Sequence, residues 1–318
     1  MLTVGIPENT DSKWLPEFPE GVELVRLAYH SDAVQEVEFW IPPLYRKFAQ
    51  PQYARLRGVK VVQSLLAGVD WMLPWLHPGT ILSDGQGLHD VVVAEWTVGV
   101  ILGALKRLPE YRDRQREQFW DGQLVEGKFP DNDMPPPYRV LGEELAGKRV
   151  LIVGYGGIGA CIESKLKVFD VEFLRVARTA RPGVAPVSAL PDLLPQADIV
   201  VLIVPLTPET RGMIDAAMLD RMRPGALLIN AARGPVVDTE ALLHALQTGH
   251  IQAVLDVTDP EPLPKGHPLW TAPNCFITPH VAGSTPGFFI RGYRFAAEQV
   301  QRYLDGRPLK NLVNPQGY

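Results

Sequence analysis

The chain has 318 residues, of which 46% are hydrophobic and 21% are charged, and its formal net charge at pH 7 is -5. This length exceeds what one hydrophobic core usually organises, so two domains are expected, and the composition excludes extensive disorder. The acidic balance provides no basic face, so neither nucleic acid nor an anionic membrane surface is expected as a partner.

Targeting and redox signals favour a cytoplasmic protein. The N-terminus has no basic region followed by an apolar stretch of signal-peptide length. Cys161 and Cys275 are too few for a disulfide framework. The longest apolar stretch, residues 91–105, is interrupted by Glu95 and is shorter than the about 20 residues that span a membrane. No cluster of Cys, His and acidic residues has the spacing of metal ligands, so no metal is expected.

The first 90 residues alternate short apolar runs with polar or proline-rich turns, which predicts a small α/β domain. The runs lie at residues 2–6, 22–27, 59–66 and 81–83. Residues 91 to about 118 then form the longest helical pattern, apolar for three turns and charged afterwards. This predicted helix bridges two domains, and a loop rich in proline and acids follows at residues 129–138.

From residue 148 to residue 277, six candidate strands alternate with helical segments, which predicts a parallel sheet covered on both faces. The candidate strands are residues 149–153, 172–176, 199–204, 226–230, 253–257 and 275–278. Asp238 or Thr239 is the predicted N-cap of a helix over residues 240–247, and Gly249 follows its end. An amphipathic helix is predicted over residues 288–304. The fold class is therefore α/β.

A glycine-rich motif after the first of these strands predicts a dinucleotide site. The motif consists of Gly154, Tyr155, Gly156, Gly157, Ile158 and Gly159. Its glycines permit a tight turn, a close approach of the backbone to a pyrophosphate, and helix–strand packing, while the helix N-terminus attracts the phosphate charge. A glycine-rich turn without a ligand is the alternative, but the position between strand and helix favours the dinucleotide.

The end of the second strand of this region predicts a preference for NADP(H). Domains that choose NAD usually carry an acid there, about 20 residues after the glycines, to bind the ribose 2′-hydroxyl. This chain has Ala177 at that place, followed by Arg178, Thr179 and Arg181. Arginine suits a 2′-phosphate because its planar donors grip phosphate oxygens, although NAD(H) remains possible. A solvated basic loop is the alternative.

Over most of its length the chain resembles the D-isomer-specific 2-hydroxyacid dehydrogenase family. Beside the glycine loop, the motifs are Leu66-Ala-Gly-Val-Asp70, Val93-Ala-Glu95, Leu145-Ala-Gly-Lys148, Val204-Pro-Leu-Thr-Pro-Glu-Thr210, Asn230-Ala-Ala-Arg-Gly-Pro-Val-Val-Asp238, Leu255-Asp-Val257, Glu261-Pro-Leu-Pro264 and Thr278-Pro-His-Val-Ala-Gly283. The pattern at Trp40-Ile-Pro-Pro43 resembles the glyoxylate and hydroxypyruvate reductase branch. Because no regulatory domain follows residue 318, an effector-controlled phosphoglycerate dehydrogenase is less favoured.

The resemblance implies two Rossmann-like domains with doubly wound parallel sheets, in which a nucleotide domain is inserted into a discontinuous substrate domain. The predicted boundaries are residues 1–94 and 288–318 for the substrate (catalytic) domain and residues 95–287 for the dinucleotide-binding domain. In this family the active site lies in the cleft between the two domains.

Three side chains are predicted to carry the reduction of a 2-keto acid. His280 would donate the proton, and Glu261 would favour its charged ring and fix its tautomer. Arg233 would bind the substrate carboxylate and polarise its carbonyl. All three follow predicted strands, where open α/β sheets bind their ligands. Taken singly, Arg233 could instead cap a loop, Glu261 could be a solvated turn residue, and His280 could be a satisfied loop histidine.

Backbone N–H groups of Ala67 and Gly68 are predicted to contact the substrate carboxylate, although a plain turn also fits. The full set of predicted substrate contacts is Leu66, Ala67, Gly68, Arg233 and His280. Further predicted cofactor contacts are Pro205, Thr210, Ala231 and Asp256. Asp256 could equally be a hydrogen-bonding loop residue. Side chains that could line the pocket or pack elsewhere are Trp40, Trp71, Met72, Trp75 and Tyr293.

The sequence therefore predicts a cytoplasmic, NADP(H)-preferring reductase of small 2-keto acids, with glyoxylate and hydroxypyruvate as the leading substrates. A homodimer is expected through the apolar first part of the helical region 91–116. One alternative is an NAD-dependent D-2-hydroxyacid dehydrogenase for a bulkier acid. Another is a dinucleotide-sensing binding protein, since this fold also serves as a transcriptional corepressor, although the three intact catalytic candidates argue against pure sensing.

Overall fold

The computed structural model describes residues 1–119 and 142–314, and the chain divides into two compact units. Unit 1 comprises Met1–Val93, Pro205–Thr210 and Gly283–Tyr318, and unit 2 comprises Ala94–Val204 and Arg211–Ala282. The predicted loop at residues 129–138 lies outside the described residues. Among the helices of the described ranges, none has the length and apolar character needed to cross a bilayer.

Unit 1 contains a five-stranded parallel sheet. In chain order its first elements are β1 (Leu2–Pro7), β2 (Val22–Leu27), β3 (Gln35–Glu36), β4 (Phe39–Trp40), α1 (Arg46–Ala54), β5 (Leu56–Arg57), β6 (Val61–Gln63) and β7 (Ile81–Ser83). The sheet order is β2-β1-β4-β6-β7, and β3 pairs separately with β5. The strand order reverses between β1 and β4, which is the kind of place where open parallel sheets bind ligands.

Two helices follow, α2 (Asp90–Leu105) and α3 (Leu108–Arg116). The prediction of one continuous helix over residues 91 to about 118 is therefore wrong. Arg107 has a left-handed backbone, with φ of 55°, which ends the first helix. Pro109 lies in the first turn of α3, where its missing N–H removes no helical hydrogen bond.

Unit 2 contains a seven-stranded parallel sheet. Its elements are β8 (Arg149–Val153), α4 (Gly157–Leu166), β9 (Glu172–Ala177), β10 (Ala185–Pro186), α5 (Leu190–Leu193), β11 (Ile199–Leu202), α6 (Ala216–Arg221), β12 (Leu227–Asn230), α7 (Thr239–Gln247), β13 (Gln252–Leu255) and β14 (Cys275–Ile277). The sheet order is β10-β9-β8-β11-β12-β13-β14. This doubly wound order changes direction between β8 and β11.

The predicted strands and helix signals of unit 2 are confirmed, with strand ends that differ by up to two residues. Every residue of β11 and β12 is buried, as expected for central strands of a sheet covered on both faces. Asp238 is the N-cap of α7, because its Oδ1 accepts a 2.9 Å hydrogen bond from the Ala241 N–H. Gly249 has φ of 70°, as a residue just past a helix end often does.

The C-terminal helix α8 (Pro286–Leu304) completes unit 1 and confirms the amphipathic pattern predicted there. Its buried Gln299 donates to Gln63 Oε1 and Ser83 Oγ, each at 2.9 Å, and accepts from the Lys310 N–H at 3.0 Å. These bonds tie the final segment to β7. Among the side chains that could line a pocket or pack elsewhere, the buried core takes Trp40, Met72 and Tyr293, whereas Trp71 and Trp75 are partly buried.

Candidate active site

The glycine loop connects β8 to α4 in a conformation that only glycine adopts easily. Gly154 has φ of 104°, and a Cβ there would lie 2.3 Å from the carbonyl oxygen of Ile203. At Gly159 a Cβ would lie 3.0 Å from Ile152 Cγ2, so the glycine permits close helix–strand packing. Gly156 is the N-cap of α4 without a side-chain cap, and a Cβ there would meet nothing within 4 Å. This open, uncapped helix N-terminus fits the pyrophosphate of a dinucleotide.

Ala177 is the last residue of β9, and the exposed Arg178, Thr179 and Arg181 follow it. The backbone N–H groups of Gly154 and Tyr155 both donate to the carbonyl oxygen of Val176, at 2.8 and 2.9 Å. The glycine loop therefore lies directly beside the basic end of β9. An Arg181 Nη2 donor also reaches the carbonyl oxygen of Tyr155.

Arg233, Glu261 and His280 follow β12, β13 and β14, which are neighbours in the sheet of unit 2. The structure brings Glu261 and His280 together, with 2.6 Å between Oε1 and Nδ1. His280 has a left-handed backbone, with φ of 54°, which is uncommon for a residue with a side chain. Its side chain is 50% exposed and that of Glu261 is 39% exposed, so a small molecule can reach the pair.

The pKa of the Glu261 carboxyl lies below its ordinary value. Burial is the largest single influence and by itself would raise the pKa. It is outweighed by the hydrogen bond and charge of His280, a backbone hydrogen bond from Thr258 and the charge of Arg233. Glu261 is therefore ionised at neutral pH, and its Oε1 can accept a hydrogen bond from the Nδ1–H of His280.

Close backbone packing fixes the position of Arg233 relative to the Glu261 loop. A Cβ at Gly234 would lie 1.9 Å from the carbonyl oxygen of Thr258, so only glycine fits beside Arg233. Asn230 holds the same turn, since its side chain donates to the Arg233 carbonyl at 3.1 Å and accepts from the Ala232 N–H at 3.0 Å. The Arg233 guanidinium donates through Nη1 to the Ala232 carbonyl at 2.8 Å.

Asp256 makes hydrogen bonds to the loop at residues 278–282, as expected if it is a hydrogen-bonding loop residue. Its Oδ1 accepts from the Thr278 hydroxyl at 2.5 Å and from the Val281 N–H at 2.9 Å, and Oδ2 accepts from the Ala282 N–H at 2.9 Å. Its carbonyl accepts from the His280 N–H at 2.7 Å. The buried Asp256 thus holds the loop that carries His280, and any direct contact with a cofactor stays a prediction.

The other predicted cofactor contacts outside the glycine loop lie in turns of their own. The Thr210 hydroxyl donates to the Pro205 carbonyl at 2.7 Å and accepts from the Thr207 N–H at 2.8 Å, so these bonds hold the turn of residues 205–210, which belongs to unit 1. Ala231 follows β12 in unit 2, and its N–H donates to the Leu202 carbonyl at 3.2 Å.

The predicted carboxylate loop, Leu66, Ala67 and Gly68, follows β6 in unit 1. The Leu66 N–H donates to Ser64 Oγ at 3.0 Å, so the loop itself uses this donor. The Trp71 indole donates to the Gly68 carbonyl at 3.2 Å and orients the far end of the loop. Ala67 and Gly68 stay the predicted backbone donors for the substrate.

Comparison with known proteins identifies the family. The profile of the NAD binding domain of D-isomer specific 2-hydroxyacid dehydrogenases matches residues 98–282, more than half of the chain. The chain belongs to this family. A glyoxylate reductase of Thermofilum pendens is 39% identical to the dehydrogenase over 266 residues, covering 81% of this chain and 75% of that protein. A glyoxylate/hydroxypyruvate reductase B of Citrobacter koseri is 34% identical, covering 76% of this chain and 71% of that protein.

Solved structures agree with the fold of the dehydrogenase. A D-isomer specific 2-hydroxyacid dehydrogenase of Xanthobacter autotrophicus, in complex with NADPH and MES, is 30% identical with a TM-score of 0.77, covering 100% of this chain and 99% of that chain. An NADPH-dependent glyoxylate/hydroxypyruvate reductase of Sinorhizobium meliloti, in complex with NADP and sulfate, is 25% identical with a TM-score of 0.81, and the match covers 100% of both chains. The predicted family, fold class and nicotinamide dinucleotide cofactor are confirmed.

One group of residues in the dehydrogenase was missed by sequence reasoning. Glu163 on α4 is buried and binds Arg175 of β9 and Tyr155 of the glycine loop. The position of this acid next to Ile162 and three residues before Leu166, on the buried face of α4, is the signal that could have revealed it, because buried acids are rarely left without a partner.

Proposed function

We propose that the dehydrogenase is an NADP(H)-preferring reductase of small 2-keto acids, of the glyoxylate and hydroxypyruvate type, which forms D-2-hydroxy acids. The end of β9 carries the cofactor proposal. Ala177 offers no carboxylate for a ribose 2′-hydroxyl, and Arg181 lies against the glycine loop beside it. The proposed substrates are those in the names of the Thermofilum pendens and Citrobacter koseri relatives.

In the proposed reaction, His280 acts as the general acid. The nicotinamide, when bound, supplies a hydride to the carbonyl carbon. His280 as imidazolium then gives its Nε2 proton to the carbonyl oxygen, while its Nδ1–H stays on the ring and remains hydrogen-bonded to Glu261 Oε1. The ionised Glu261 fixes the ring tautomer and stabilises the positive charge that precedes proton transfer.

Arg233 would bind the substrate carboxylate through paired guanidinium donors and polarise the carbonyl with its permanent charge. Backbone N–H groups of Ala67 and Gly68 are the proposed further donors to the carboxylate. In the cofactor site, the glycine loop would hold the pyrophosphate, and Arg178 with Arg181 would hold the 2′-phosphate. Pro205, Thr210, Ala231 and Asp256 are the remaining proposed cofactor neighbours.

A panel of 2-keto acids assayed with NADPH and with NADH tests this proposal. Glyoxylate and hydroxypyruvate should give higher kcat/KM values than pyruvate, phenylpyruvate or 4-methyl-2-oxopentanoate, and NADPH should exceed NADH for each substrate. A higher kcat/KM for the bulky acids with NADH would instead support the NAD-dependent alternative. Dinucleotide binding without turnover on any acid would support a sensing protein.

A further inference from the structure

A buried carboxylate joins the glycine loop to the helix and strand behind it. The Glu163 side chain is 6% exposed and accepts two hydrogen bonds from Arg175, from Nε at 2.5 Å and from Nη2 at 2.8 Å. It also accepts from the Tyr155 hydroxyl at 2.7 Å, and Lys167 Nζ lies 3.3 Å away. Glu163 therefore connects Tyr155 of the glycine loop, Arg175 of β9 and Lys167 at the end of α4.

The charges in this cluster determine the role of each member. Hydrogen bonding from Arg175 lowers the pKa of Glu163 to about 2 against the opposing effect of burial, so Glu163 is a carboxylate and Tyr155 is its donor. Because Glu163 neutralises Arg175, this guanidinium is not a free cation for a phosphate. Arg178 and Arg181 follow Ala177, the last residue of β9.

Arg181 contacts Tyr155 in two ways. Its Nη2 donates to the Tyr155 carbonyl, and its guanidinium carbon lies 5.7 Å from the centroid of the Tyr155 ring, within the range of a cation–π contact. The backbone of Arg181 is also held, since it exchanges two hydrogen bonds with Val184. A guanidinium has five donors, so these contacts leave others available to an anion.

We propose that Tyr155 is a specificity-determining residue for the dinucleotide, because its ring and carbonyl hold the Arg181 guanidinium where a ribose 2′-phosphate would bind. Glu163, which is paired with Arg175, accepts a hydrogen bond from the Tyr155 hydroxyl and thereby orients the ring. Tyr155 is suited to this task because its N–H donates to the Val176 carbonyl, one residue from Ala177. The inference rests on the proposed preference for NADP(H) and names the side chain that organises it.

Two small probes isolate the contribution of the 2′-phosphate to binding. Adenosine 2′,5′-bisphosphate and 5′-AMP differ only in that group, and calorimetric titration gives the ratio of their Kd values as a measure of selectivity. Tyr155→Leu removes the ring and keeps the carbonyl, so selectivity should fall by between about threefold and thirtyfold, because the Kd of adenosine 2′,5′-bisphosphate rises more than that of 5′-AMP. The matched variant Tyr155→Phe keeps the ring and should stay within about threefold of the unmodified protein.

A double-mutant cycle shows whether Tyr155 acts through Arg181. Arg181→Ala should lower selectivity, and adding Tyr155→Leu to that background should lower it little further. Equal binding of both probes by the unmodified protein would overturn the NADP(H) proposal together with this inference. Full selectivity in Tyr155→Leu, an equal loss for both probes, or additive effects in the cycle would overturn the role of Tyr155 alone.

Discussion

The small, uncharged side chain of Ala177 offers a 2′-phosphate neither repulsion nor an obstacle. Ala177→Asp should shift cofactor preference towards NADH, because its carboxylate repels the phosphate and accepts from the ribose hydroxyl. Arg178→Ala should reduce kcat/KM with NADPH by about tenfold to a hundredfold, the effect of one charge-assisted hydrogen bond, while barely changing activity with NADH. Arg112→Ala, at an exposed position of α3, is the control and should change kcat/KM with neither NADPH nor NADH.

Parallel kcat/KM measurements for both cofactors decide this prediction. If the unmodified protein used NADH as well as or better than NADPH, the arginines at the end of β9 would be an ordinary solvated loop.

Asp84, at the end of β7, gives a pH-dependent contribution to stability. Burial raises the pKa of its carboxyl to about 6, against the hydrogen bond from the Gln86 N–H at 2.9 Å. The folded state thus holds this proton more tightly than the unfolded state, whose carboxyl has its ordinary pKa. The native protein should therefore lose stability as pH rises from about 4 through about 6.

The variant Asp84→Asn removes that loss, since an amide oxygen can still accept from the Gln86 N–H. Its free energy of unfolding at pH 8 should exceed that of the unmodified protein by about 1–3 kcal/mol, with a smaller difference at pH 4. Denaturant titrations at both pH values measure the effect, with the exposed Asp32→Asn as control. The prediction would be contradicted if the gain in unfolding free energy that Asp84→Asn gives over the unmodified protein were no larger at pH 8 than at pH 4.

Residue types and motifs revealed the Arg233, Glu261 and His280 candidates, because each stands just after a strand in a recognisable sequence context. The partners of Asp256 could not be predicted in the same way. They are a hydroxyl and two backbone N–H groups more than twenty residues away, and only the folded loop brings them to the carboxylate. The Glu163–Arg175 pair likewise depends on the rotation of α4 over β9.

Strands were predicted well where apolar runs were long, and less well elsewhere. The central strands of unit 2 are buried on both faces, so their runs were easy to locate. The two-residue strand β4 was missed because it is too short to show a period. The break between α2 and α3 was overlooked although Pro109 marked it, since proline is rarely tolerated inside a helix.

Apart from Asp90, Glu95 and Thr97, helix α2 consists of apolar residues and glycines, which favours the predicted homodimer. Several of its apolar side chains are only partly buried in unit 2, namely Trp96, Val98, Val100 and Leu102. Val91, in unit 1, is 47% exposed. A partner subunit would remove this surface from water. Gly99 is exposed, and a Cβ there would meet nothing within 4 Å, so a larger residue would enter the space that a partner needs.

Light scattering on the protein as it elutes from a size-exclusion column tests this interface. The unmodified chain should have the mass of a dimer at micromolar concentration, and Gly99→Arg should shift it to the monomer without lowering its helical content. Gln115→Arg on the exposed α3 serves as the matched control and should leave the dimer intact. A monomeric unmodified protein would exclude the dimer.

The proposed functional residues lie on loops that follow strands of the two parallel sheets. Unit 2 carries the glycine loop, the basic end of β9 and the three catalytic candidates, all after strands of one sheet. Unit 1 carries the proposed carboxylate loop after β6. Both sheets were predictable from the sequence as a fold class, because alternating strands and helices demand parallel pairing. The boundaries proposed from the sequence and the roles of the units remain predictions.

We expect His280 to protonate a 2-keto acid while Glu261 supports the charge of the imidazolium and Arg233 holds the substrate. Loss of the Glu261 charge removes the carboxylate that supports the imidazolium, so Glu261→Gln should cause a moderate loss of rate. Arg233→Ala should lose turnover with little change in the Kd of NADPH.

Single-turnover oxidation of bound NADPH, after mixing with glyoxylate or hydroxypyruvate, tests the proposed role of His280. The unmodified protein should oxidise its bound NADPH, while His280→Ala should bind NADPH with the same Kd and oxidise it at least about a hundredfold more slowly. Oxidation by His280→Ala at a rate near that of the unmodified protein would show that His280 is not the proton donor.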